Sequence, residues 1–315
     1  MKLKNFSLLV LFLGISILAI FSATIYKNHK IQEYEHKQFS TLAASLNTEV
    51  GALIEEKKNA TLAMTLAFTQ DAPFVRSLIS NKNATQILKN LSIRMHDNSD
   101  FKNIWLQIID KNGKNIARSW DGLSGDDLSR VRQDIQLLLE KPEPTTSISV
   151  GKYDLSIKAI IPIYDEEKQL LGFIEMISHF NSIASKIQAK SIEPVLLVDE
   201  KYTKQLTHPF SQKFAANHYV ANANANEALL KYIDSKGIKY FLSDKNLYKI
   251  DKEGGYLVVN HTLYDMHNVP MANFLMFTPL SEISLETVRS IETSINFVVI
   301  LFTHLSHLIL PKTIQ

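Results

Sequence analysis

Arg118 and Trp120 stand two residues apart in a stretch that alternates like a strand, so their side chains share one face. An arginine fork can hold both oxygens of a carboxylate, and an indole beside it can cover the apolar remainder of a small molecule. The only other tryptophan, Trp105, falls on the preceding strand pattern, and three of the six arginines, Arg118, Arg130 and Arg132, crowd within 15 residues. Lys158 and Glu175 lie on patterns that read as central strands, where a lone charge is unfavourable unless it is paired. They either pair structurally or line a pocket. Together these residue types suit the capture of a small anionic ligand. Plainer readings stand beside that one: Arg118 in a surface ion pair with Asp126 or Asp127, and Trp120 packed in the core. Arg130 and Arg132 fall in a helical pattern and cannot both face inward.

Catalytic constellations are absent from the sequence. Ten histidines are scattered without an H-E-x-x-H or similar ligand spacing, and there is no Gly-x-Ser-x-Gly, Walker loop or Gly-x-Gly-x-x-Gly. The lack of cysteine excludes thiol chemistry and zinc–thiolate sites. A net charge of +2 with no basic block argues against nucleic acid as a partner. The expectation is a binding protein rather than an enzyme, with no cofactor and no metal.

The elements that must position these residues follow from periodicity. Residues 27–66 carry apolar side chains at Phe39, Leu42, Leu46, Val50 and Leu53, spaced three and four apart, and no proline intervenes before Pro73. This predicts one long helix, either paired with a copy of itself or laid along the domain behind it. A second helix is predicted at 84–95. The pattern then switches to period two. Strands are predicted at 103–109 and 114–120 around an Asp110–Gly113 turn, a helix at 126–140, and strands at 146–150, 155–164 and 170–178. That order, β-β-α-β-β-β, is PAS-like and antiparallel.

A second unit repeats the plan. PVLLVD at 194–199 echoes LQIID at 106–110, a helix is predicted at 226–235, and strands at 237–243, 255–263 and 271–278. Tyr164-Asp165 and Tyr264-Asp265 occupy the same place between the last two strands of each unit, and Gly172 then aligns with Ala272. A helix at 181–190 joins the units, and 281–290 leads out of the second.

Two apolar stretches bracket these units. Residues 6–25 run for 20 residues without a charge, about the number needed to cross a bilayer core. Residues 295–310 do almost the same over 16, carrying Asn296, His304 and His307; with 291–294 they predict a second span, the alternative being a buried amphipathic helix. Lys2 and Lys4 favour a cytoplasmic N-terminus while Lys27, Lys30 and Lys37 oppose it. A short N-terminus decides for a cytoplasmic start, an exported central region and a location in the inner membrane.

The run IWLQIIDKNGKNIARSW, SGDDL, ISVGKYDLSIKAIIPIYD, GFIEMISHFNSIA and VLLVDEKY resembles the extracytoplasmic double-Cache sensors of bacterial diguanylate cyclases, histidine kinases and chemoreceptors. The resemblance implies an α+β fold: a long N-terminal helix and two PAS-like antiparallel-sheet units, flanked by transmembrane helices. It implies a membrane-distal unit with the stalk helix at 27–190, a membrane-proximal unit at 191–280, and spans at 6–25 and 291–310. It further implies periplasmic binding of a small ligand, carboxylate or amino-acid-like, by a homodimer that signals through its helices. Arg-x-Trp spacing is similar to that of amino-acid-binding members, in which a later tyrosine and an acidic residue hold the ligand amine; Tyr153 and Asp154 are the nearest counterparts. The candidate ligand residues are therefore Arg118, Trp120, Trp105, Tyr153, Asp154 and Lys158. Such relatives continue into a cytoplasmic output domain; the expectations here are a sensor-only protein acting with a separate cytoplasmic output protein, a truncated gene product, or a fragment. The rival readings are an anchored periplasmic enzyme and an assembly protein using the long helix as a coiled-coil arm.

Overall fold

The computed structural model describes residues 2–99, 101–242 and 247–283, with positions 290, 293, 296, 297 and 300. Contacts divide it into two units, one holding the leading part of the first helix and the chain from Leu280, the other Ser45–Pro279.

The first helix, α1 (Lys2–Phe68), runs without a break through both the first apolar stretch and the predicted stalk. Within the second unit it buries Leu46, Val50, Ile54, Thr61 and Thr65, a single stripe at helical spacing. Leu53 lies at the flank of that stripe, half-buried. Two short helices missing or truncated in the sequence reading follow. Helix α2 (Ala72–Ser80) is set by Asp71, whose carboxylate accepts the Phe74 amide, and by Pro73 in the first turn. Helix α3 is Ala84–Asn98.

The first sheet is antiparallel, ordered β2 (Asn115–Arg118), β1 (Trp105–Asp110), β5 (Leu170–His179), β4 (Leu155–Tyr164), β3 (Thr145–Val150). The turn after β1 is closed by Asp110, which accepts the amides of Asn112 and Lys114. Gly113 there has φ +82°, and a Cβ would press on Leu139 and Ile135. One face of the sheet is apolar. Leu106, Ile108, Ile161, Ile174 and Met176 pack against Val75, Leu78 and Leu88 of α2 and α3 and against Leu62 of α1. The other face is mixed: Arg118 pairs across to Gln107 and Gln107 to Glu175, while Trp105 pairs to Ile177 and Ile177 to Lys158.

Residues 126–140 are not one helix, as their spacing predicted. A 3-10 turn (Leu128–Arg130) gives way to extended backbone at Arg132, and α4 (Gln133–Glu140) begins only there. The break lets Arg132 reach two carboxylates in the interior, while Arg130 stays 81% exposed on Asp127.

Helix α5 (Asn181–Gln188) leads into the second sheet, which is built from β6 (Glu193–Val198), β7 (Phe214–Ala215), β8 (His218–Val220), β9 (Tyr248–Asp251), β10 (Tyr256–Tyr264) and β11 (Pro270–Pro279) in the order β7-β8-β6-β11-β10-β9. Its Leu275, Phe277 and Val258 pack on Leu229 and Ile233 of α7 (Glu227–Lys236). A one-turn helix, α6 (Glu200–Thr203), follows β6. The strand predicted at 237–243 is instead a helical turn, α8 (Ile238–Phe241), with position 243 outside the described residues. The alternation in GIKYFL arises because Phe241 enters the core beside Phe277 while Tyr240 reaches Asp251. The outer strand is β9, which the sequence reading missed.

The internal repeat extends to backbone detail. Tyr164 and Tyr264 each follow a register shift, with Ile163 opposite Gly172 and Leu263 opposite Ala272. Asp165 and Asp265 each close the next turn on an amide four residues on, with Lys168 and Asn268 at φ +62° and +61°.

Among the described residues no helix is long and apolar enough to cross a membrane. Residues 6–25 are helical within α1, with Leu11, Ile15, Leu18, Phe21 and Ile25 exposed. The second predicted span, 291–310, lies outside the described residues apart from the single positions given above.

Candidate functional site

The mixed face of the first sheet is covered by the 3-10 turn and the Gly151–Asp154 turn. Between them lies a cavity of ≈ 50 Å³. All six residues singled out in the sequence line it: Trp105 from β1, Arg118 and Trp120 from β2 and its exit, Tyr153 and Asp154 from the β3–β4 turn, and Lys158 from β4. Trp105 and Trp120 stack with ring centres 4.8 Å apart, and Tyr153 stands edge-on to both at 5.8 Å. Leu128, Val131 and Ile177 complete the apolar wall.

Arg118 is 1% exposed and its donors are engaged by protein groups. Nε meets Asp121 at 2.8 Å and the Leu123 carbonyl at 2.9 Å, Nη1 donates to the Tyr153 hydroxyl at 3.2 Å, and Nη2 to Asp126 at 2.6 Å. The ion pair with Asp126 foreseen in the sequence therefore forms, with the guanidinium buried and the carboxylate half-buried rather than both at the surface. It holds the Asp126 carboxyl below the usual carboxylate range. Tyr153 donates to Asp121 at 2.6 Å; burial, then that bond, pushes its phenol up.

Behind the cavity lies a network that the sequence reading did not assemble. Arg132 forks to Asp134 at 2.7 and 3.0 Å and bonds both oxygens of Glu175, which also accepts from Gln107. Ser147 donates to Asp134 at 2.8 Å. Burial opposes these charges, but their mutual attraction prevails: Asp134 is held well below the usual range and Arg132 above its own. Glu175, noted in the sequence as a central-strand charge, thus pairs with Arg132 and not with Lys158. The signal available was the Arg132-x-Asp134 spacing itself.

Lys158 differs. Its ammonium is buried and donates to the Ser149 carbonyl at 2.6 Å and the Ser149 hydroxyl at 2.7 Å, with no carboxylate of the described residues at ion-pair distance. Burial, and next the Arg132 guanidinium, push its pKa down to about 8.

The second sheet unit packs against the residues of this wall without lining the cavity itself, a contact no sequence pattern announced. The amides of His208 and Phe210 donate to the carbonyls of Lys152 and Tyr153, at 2.9 and 2.7 Å, and Gln205 reaches the Val150 carbonyl at 3.1 Å. Phe210 lies edge-on to Trp105 at 5.4 Å and stacks on His179 at 5.3 Å. Asp154 is shared: one oxygen takes the Tyr219 hydroxyl at 2.9 Å and the Leu155 amide at 2.8 Å, the other meets His179 Nδ1 at 2.7 Å. Among the described residues no cluster of histidine and carboxylate side chains has the makings of a metal site.

The family described as "Double sensory domain of two-component sensor kinase" matches residues 40–283. No curated protein matches the chain. Among solved structures, an extracellular ligand-binding receptor from Desulfohalobium retbaense is 13% identical over 76% of this chain, with a TM-score of 0.40; the chain spans 39% of that receptor's length. A domain of a sensory box/GGDEF protein from Vibrio parahaemolyticus is 13% identical over 78% of this chain and 100% of its own, TM-score 0.43. The ligand-binding domain of the Campylobacter jejuni chemoreceptor Tlp3, solved with L-valine, is 15% identical over 79% and 95%, TM-score 0.41.

Proposed function

Because this chain belongs to the double sensory domain family, we propose that it is a membrane-anchored, extracytoplasmic sensor that binds a small anionic ligand in the cavity of its first sheet. In this reading residues 27–190 form the membrane-distal unit, 191–280 the proximal one, and 6–25 and 291–310 the spans. The protein works as a homodimer, passing the signal through its helices to an output partner.

The observation that carries the reading is Lys158. A fully buried ammonium with no carboxylate at ion-pair distance among the described residues is costly, and here it borders an aromatic cavity. A ligand carboxylate beside it removes that cost, and the indoles cover the apolar part. Arg118, each of whose guanidinium nitrogens already has a protein partner, holds Tyr153 and the Asp121–Asp126 loop in place and shapes the wall. Asp154 joins the wall to Tyr219 of the second sheet.

The test is a thermal-shift screen of the full chain in detergent against organic acids, amino acids and amines. A ligand that binds only the folded state raises the melting temperature. Stabilisation by an acid, abolished in Lys158→Met, supports the reading. Stabilisation by amines alone would overturn it.

A further inference from the structure

Resting on that reading, we infer that the ligand is a short-chain carboxylate without an amine. Four cationic side chains line the cavity, Arg118, Arg132, Lys152 and Lys158, against one carboxylate, Asp154. A ligand ammonium needs an acceptor with room for it. Asp154 is 3% exposed and already takes three donors, from Tyr219, Leu155 and His179. The carboxylates behind the wall are committed likewise: Asp121 and Asp126 to Arg118, Asp134 and Glu175 to Arg132. Nor do the rings offer a cation site, since the Arg118 guanidinium already lies 5.6 Å from the Trp120 ring centre and 5.9 Å from that of Tyr153.

What the cavity has to spare is a donor. Lys158 has three N–H groups and two partners, both on Ser149. Trp120 Nε1 is buried in the wall beside the Tyr153 hydroxyl. An ammonium with an N–H to spare, in a cavity walled by two stacked indoles, fits a carboxylate carrying a hydrocarbon tail. The volume limits the tail. At roughly 10–15 Å³ per water-sized position, ≈ 50 Å³ holds about four, the scale of an acid with two to four carbons.

The experiment uses isosteric pairs that differ by one group. Propionate is glycine with a methyl in place of the ammonium, and isobutyrate is so related to L-alanine. Both tryptophans of the chain border the cavity, so intrinsic emission of the full chain in detergent reports on this site. The expected result is that propionate and isobutyrate change the emission with a Kd at least about tenfold below that of glycine and L-alanine. Lys158→Met, close in shape and without the charge, should lose the response while its unliganded melt stays cooperative. Glycine or L-alanine binding as tightly as its partner would overturn the inference and leave the anion-sensing reading standing. A response retained in a folded Lys158→Met protein would also overturn it. Silence from all four compounds at millimolar concentration overturns it, and the acid screen then decides the broader reading separately.

Discussion

Asp154 Oδ1 accepts the hydroxyl of Tyr219 at 2.9 Å, so a carboxylate in the cavity wall of the first sheet is held by a tyrosine of the second. Burial, then the Asp154 charge, push the Tyr219 phenol up, so it remains a donor throughout the physiological range. Asp154 and Phe210 thus connect the cavity wall to the second sheet unit by direct contact.

Tyr219→Phe keeps the ring and removes that bond. We expect a loss of about 1–2 kcal/mol in urea unfolding, since a buried acceptor loses one of its donors. The tryptophan emission should shift as well, although both tryptophans lie in the other sheet unit. A loss of stability with unchanged emission would make the contact a local fastening rather than a coupling.

The Arg132 network should behave as a unit. Arg132→Ala leaves Asp134 and Glu175 buried without their partner, which typically costs about 3–5 kcal/mol. Arg130→Ala, two residues away but exposed, should change stability by less than about 0.5 kcal/mol. Equal effects in urea melts would contradict the assignment of the inward arginine.

Lys158 sets a pH dependence whose sign can be worked out. Its folded pKa of about 8 lies below the ordinary 10.5, so between these values the unfolded chain holds more protons than the folded one. Stability contributed by this group therefore rises with pH across that window and is lowest below pH 8. The full span is roughly 3 kcal/mol. Lys158→Met should flatten the alkaline rise in a series of urea melts and be more stable at neutral pH. A variant with the wild-type slope would show that the ammonium is not buried as described.

Topology is tested by reporter fusions at residue 200 and at the C-terminus. Opposite sides of the membrane are expected; the same side would remove the second span from the proposal.

Much of the fold was legible because burial imposes periodicity. The β4 and β5 strands, the long helix and the two Tyr-Asp hairpins could be read directly, as alternation and turn chemistry act locally. The helix break at Arg132 was not legible, because it is driven by Asp134 and by Glu175, 43 residues away. The turn at 238–241 was misread because aromatic alternation imitates a strand. At the candidate site, Arg-x-Trp spacing pointed to the face that carries the cavity, but the sequence could not show that Asp121 and Asp126 both pair with Arg118. The contact of Phe210 with Trp105 and His179 depends on one sheet unit packing on the other, which leaves no local pattern.

The most direct test is calorimetric titration of a carboxylate found in the screen into wild-type, Lys158→Met and Arg130→Ala proteins, each confirmed folded. A charge-assisted bond contributes roughly 1.5–3 kcal/mol, so Lys158→Met should weaken binding by about tenfold to a hundredfold while Arg130→Ala leaves it unchanged. Wild-type affinity in a folded Lys158→Met protein would contradict the placement of the ligand in the first-sheet cavity.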